Sequence, residues 1–106
     1  MTHTEKVYIA GFVTCLACFN NQSTNYLTSI FTDLGMSWDE VDRIINTFSN
    51  PSAKENAYRE LRWMGADDKK KAQQYFINAA KLGGLSQNMM ILKEILTSCN
   101  MFDATV

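Results

Sequence analysis

The sequence is short of residues that interrupt, cross-link or catalyse. Its 106 residues include one proline, Pro51, one histidine, His3, five glycines and three cysteines. An odd cysteine count without regular spacing excludes a disulfide-stapled secreted scaffold. The lone histidine lies in an expected frayed tail and is assigned no catalytic role, and nothing in the sequence brings it to Cys15, Cys18 and Cys99 to complete a zinc site. No G-x-S-x-G, phosphate loop, H-E-x-x-H or EF-hand loop is present. The expectation is a protein that is not an enzyme and holds no cofactor.

Basic charge is also in short supply. Ten Lys and Arg face eleven Asp and Glu, for a net charge of −1, whereas nucleic-acid binders carry a basic excess that neutralises phosphates. The balance is uneven along the chain: residues 1–50 sum to −3 and residues 51–106 to +2. Long apolar runs are missing too. The longest, from Val7 to Phe19, covers about 13 residues where a spanning helix needs about 20. "CLAC" at residues 15–18 has the outline of a lipid-attachment box. The preceding "MTHTEK" carries Glu5 beside Lys6, unlike a basic signal region, so a cytoplasmic protein with no membrane partner is expected.

What the sequence does have is helical punctuation. Apolar residues make up 46% of the chain, enough for one compact domain over 1–106 with short tails at 1–3 and 103–106. No alternating strand pattern occurs, and six helices are expected. The first, 4–19, is apolar nearly all round, the mark of a central buried helix. The second, 23–34, starts near Asn21 or Ser23 and stops at Gly35. Ser37 and Glu40 form a capping box for the third, whose inward face is Val41, Ile44, Ile45 and Phe48. Pro51 with Ser52 and Glu55 opens the fourth, with Ala57, Tyr58 and Leu61 inward and Glu55 paired to Arg59. "GADD" separates it from the fifth, which buries Ala72, Tyr75, Phe76, Ala79 and Ala80. Ser86 caps the sixth, which carries Met89, Met90, Leu92, Ile95, Leu96 and Cys99.

Cys15 and Cys18 form a C-x-x-C. A reactive pair sits at a helix N-terminus, where the dipole stabilises thiolate; these cysteines fall at a helix C-terminal end and are expected to pack as small hydrophobes. Asp39, Glu40 and Asp42 read as ordinary first-turn acids. Lys54, Arg59, Arg62, Lys69, Lys70 and Lys71 cluster around the junction of helices four and five, with Trp63 among them. Arg59, Arg62, Trp63, Lys69, Lys70 and Lys71 are the candidate interaction surface, weighed against an ordinary solvated face. Met89, Met90 and Met101 would add an adaptable surface if exposed together.

Two stretches match at an offset of 62 residues, with Leu27, Ile30 and Leu34 aligned to Met89, Leu92 and Leu96, suggesting two-fold pseudosymmetry. The units "LACFNNQSTNYLTSIFTDLGMSWDEVDRII" and "NAAKLGGLSQNMMILKEILTSCNM" resemble the tellurite-resistance protein B-like (TerB-like) helical family. That resemblance spans residues 10–102 in outline and implies an all-α fold with a bacterial stress, signalling or mobile-element role. Family members are associated with metal binding through carboxylates, but Asn20, Leu27, Leu82 and Met89 stand at those places here, so no metal ligand carries over.

The sequence thus predicts a single-domain, six-helix orthogonal bundle with a buried first helix. Its expected role is a non-catalytic module that binds another protein, with a homodimer also open. A small phage- or plasmid-type enzyme inhibitor and a metal or ligand sensor are the alternatives.

Overall fold

The computed structural model describes residues 1–17 and 21–101, with the backbone alone for 21–23. Six helices follow in order: α1 His3–Ala17, α2 Asn21–Leu34, α3 Trp38–Thr47, α4 Pro51–Arg62, α5 Ala66–Leu82 and α6 Leu85–Ser98. The all-α bundle expected from the sequence is therefore present. Its Cα radius of gyration is 12.4 Å, close to the ~13 Å of a compact chain this long.

α1 is central because it has no polar face. Eight residues of its second half, from Ile9 to Ala17, are buried, and the helix packs against each of the other five. Phe12 organises the interior. Its ring stacks between Phe48 (centroids 4.6 Å apart) and Tyr58 (5.1 Å), and Phe76 meets it edge-on at 6.2 Å. Such offset and edge contacts add to the burial that drives folding. Gly11 lets α3 lie close, since a Cβ there would stand 2.9 Å from the Phe48 ring and 3.0 Å from Ile44.

The helix boundaries show which local signals operate. Ser37 caps α3 by accepting from the Glu40 amide at 3.2 Å. Glu40 does not close the box; its carboxylate faces His3 at 3.6 Å. α4 is capped by Asn50, which accepts from the Ser52 amide at 2.9 Å, so the Ser52–Glu55 box does not form. Glu55 pairs with Arg62 rather than Arg59. Ser86 is likewise no cap: α6 starts at Leu85, after Gly84 at φ 100°, a conformation open to glycine. α2 begins at Asn21, which places Asn21 and Ser23 inside the helix. In the stretch 1–3, His3 is helical and the Met1 amine meets Asp68 at 3.3 Å. The expected tail at 103–106, and Cys18, lie outside the described residues.

α2 and α6 end in the same way. Gly35 (φ 70°) and Asn100 (φ 54°) adopt the left-handed conformation. The next amide then returns to the helix, Met36 to Phe31 O at 2.8 Å and Met101 to Leu96 O at 2.7 Å. These are Schellman closures, which satisfy carbonyls the helix leaves unpaired. They also correct the repeat register. Leu27, Ile30, Phe31, Leu34 and Met36 correspond in burial to Leu92, Ile95, Leu96, Cys99 and Met101, an offset of 65 residues rather than 62.

Candidate functional site

The candidate basic surface is built by the short turn after α4. On α4, Arg59 and Arg62 occupy one flank with Glu55. Arg62 is turned inward: its Nε donates to Ser98 O at 3.0 Å and its Nη2 stands 3.7 Å from Glu55. It acts as a cation at the C-terminal end of α6, where the helix dipole and unpaired carbonyls favour one. Arg59 is exposed, with only Asn56 Oδ1 at 3.5 Å.

Trp63 ends α4 and is 82% exposed. An indole so placed buries almost none of its area within this chain. Lys69, Lys70 and Lys71 are consecutive on α5, and at 100° per residue they point three ways. Lys69 is half-buried, whereas Lys70 and Lys71 are exposed. None of the three, nor Arg59, belongs to an ion pair among the described residues. Lys69 and Arg62 both act on the Cys99 thiol. Burial pushes that thiol up to about 12, and the two cations pull it partly back. Of the six residues of this cationic-aromatic corner, Lys69 and Arg62 both face Cys99, whereas Arg59, Trp63, Lys70 and Lys71 are exposed.

The C-x-x-C expectation divides. Cys99 is buried, but Cys15 is exposed on α1, contrary to its expected place in the core. α1 is not wholly enclosed at this point, and its exposed strip opens into a cleft of about 260 Å³. Phe12, Ile45, Phe48, Ile91 and Ile95 form its apolar walls; Cys15, Ser49 and Lys54 complete the lining. The face of α3 expected to be inward is only partly covered here: Val41 is buried, whereas Ile44, Ile45 and Phe48 are half-buried. The methionine surface does not assemble. Met90 is 84% exposed, Met89 half-buried and Met101 buried.

Sequence reasoning missed two features. The first is the cleft, which draws on four helices and so has no linear signature. The second is Asn88, buried in α6, whose Nδ2 donates to Leu16 O at 2.8 Å and reaches Ala80 O at 3.4 Å. In the sequence it is the last polar residue of Ser86-Gln87-Asn88 before Met89, Met90, Ile91 and Leu92, with nothing to mark it as buried. Among the described residues, no three His, Cys, Asp or Glu side chains converge as a metal site would require, and Asp39, Glu40 and Asp42 stay at the start of α3. No described helix is long and apolar enough to cross a membrane.

Fold and surface together give a helical bundle with an exposed cationic-aromatic corner and an apolar cleft among the described residues. No family model matches the chain, and comparisons with curated proteins and with solved structures also find no match.

Proposed function

We propose that this chain is a non-catalytic helical module that binds another protein, in the bacterial stress, signalling or mobile-element setting that the TerB-like resemblance implies. Trp63 carries the reading. An indole 82% exposed, close in sequence to Arg59, Lys70 and Lys71, which join no ion pair among the described residues, combines the residue types that anchor interfaces with a charge that selects the partner. The complementary surface is acidic with an apolar pocket. A cytoplasmic location accords with this reading.

Affinity capture from a native bacterial lysate tests it, with the wild-type chain compared against Trp63→Ala and against Arg59→Glu combined with Lys70→Glu and Lys71→Glu. Both variants keep the wild-type helical circular dichroism, since none of these side chains packs in the core. The expected result is a stoichiometric partner held by the wild type and lost by both variants. Equal capture by all three places the interaction elsewhere and refutes this surface.

A further inference from the structure

The cleft beside α1 shares no residue with the cationic-aromatic corner and carries an independent reading. We propose that it is a binding site for a small amphipathic carboxylate, an aliphatic acid with a chain of about eight carbons, held by the apolar walls and by Lys54 at the rim.

The lining determines the chemical class. Five of the eight lining residues are apolar and come from three helices and the end of α3: Phe12 from α1, Ile45 and Phe48, then Ile91 and Ile95 from α6. Ile91 remains 42% exposed and Phe48 half-buried, so an occupant would remove apolar surface that this chain leaves in water. Lys54 is the one charged residue of the lining among the described residues, and none of the ion pairs there uses it. An apolar body with one negative end complements that arrangement; a neutral or cationic head leaves the ammonium unmatched.

Size narrows the class. The cleft holds about 260 Å³, below the roughly 300–1,000 Å³ of pockets that take drug-sized ligands. With a water-sized group occupying about 30 Å³ in the liquid, it accommodates on the order of nine such groups. Octanoate, with about ten non-hydrogen atoms, is close to this size, whereas a long-chain fatty acid has about twice as many. The floor is firm because Phe12 is held between Phe48 and Tyr58.

Octanoate, octanol and octylamine are the probes, titrated against the full chain carrying Cys18→Ser, with thermal unfolding and thiol labelling of Cys15 as readouts. Octanoate is expected to raise the melting temperature dose-dependently and to slow Cys15 labelling, with octanol weaker and octylamine weakest. Lys54→Gln lies on a helix surface and keeps the fold; it is expected to weaken octanoate about tenfold, the loss of one charge-assisted contact, while octanol is unchanged. Lys54→Glu should shift the preference to octylamine. Equal affinity for the three probes, octanoate binding unaffected by Lys54→Gln, or no thermal shift with octanoate would each overturn the assignment. Capture of a protein partner through Trp63 is unaffected by any of these outcomes.

Discussion

Asn88 is the residue whose replacement should cost most for its size. α5 ends at Leu82, so Ala80 O belongs to the last four carbonyls that a helix leaves unpaired, and Leu16 O lies one residue before the last described residue of α1. Around them, Gly83 N returns to Ala79 O and Gly84 N to Lys81 O. Leu16 O receives its bond from across the bundle, from the Asn88 amide at 2.8 Å; the contact to Ala80 O, at 3.4 Å, is weaker.

Replacing Asn88 by Ala removes a net hydrogen-bond contribution of about 1 kcal/mol and takes from Leu16 O the side-chain donor it has among the described residues, at about 1–3 kcal/mol. The expected loss is roughly 2–4 kcal/mol, a large part of the ~5–15 kcal/mol that holds a domain together. Asn88→Leu restores volume but not the donor, so it should recover little. Asn88→Asp has two acceptors facing the Leu16 carbonyl and should be worse than Ala at neutral pH. Urea unfolding followed by circular dichroism measures all three, with an unchanged m-value showing that the change lies in stability. If Asn88→Ala stays within about 0.5 kcal/mol of the wild type, or Asn88→Leu matches it, then no buried carbonyl depends on this amide.

Two further substitutions follow from the same region and its neighbour. Gly83 has an ordinary φ of −81°, yet a Cβ there would collide with Leu16 O and come within 2.6 Å of Asn88 Nδ2. Gly83→Ala should therefore cost about 1–3 kcal/mol through overpacking, whereas Gly65→Ala, with nothing within 4 Å, should cost only the poorer N-cap of α5, below about 1 kcal/mol by chemical denaturation. Cys99 predicts an alkaline limit. Its thiol is pushed from 9.0 up to about 12 by burial, so both states hold the proton below pH 9 and only the unfolded chain loses it above. Stability then falls as pH rises, by about 1.4 kcal/mol at pH 10; Tyr58, also raised by burial, adds in the same direction at higher pH. Urea unfolding at pH 7.5 and 10 should show a steeper decline for the wild type than for Cys99→Val, and parallel declines would refute the assignment.

The sequence by itself determined the helices, because apolar spacing, Ser37 and Gly35 act within one or two turns. The buried first helix was legible for the same reason: a segment without a polar face must be covered. Other local signals lost to competitors nearby. Asn50 took the cap expected of Ser52, and Arg62 took the partner expected of Arg59 once Ser98 O gave its guanidinium a second contact. The exposed cationic corner was visible as a cluster, but its division into an inner edge and an outer face was not, since that depends on how α4 and α5 meet α6.

Only the tertiary structure decided the rest. Cys15 lies on an apolar helix and has every local reason to be buried, yet the four helices around it leave an opening there. Lys54, Ile91 and Phe48 are far apart in sequence and acquire a common role only where that opening brings them together. Asn88 reads as one more polar residue after Ser86 and Gln87 until the fold brings Leu16 O of α1 within 2.8 Å of its amide. Periodicity encodes which face of a helix turns inward, whereas unpaired helix ends and imperfect closure between helices arise only when all the elements are in place.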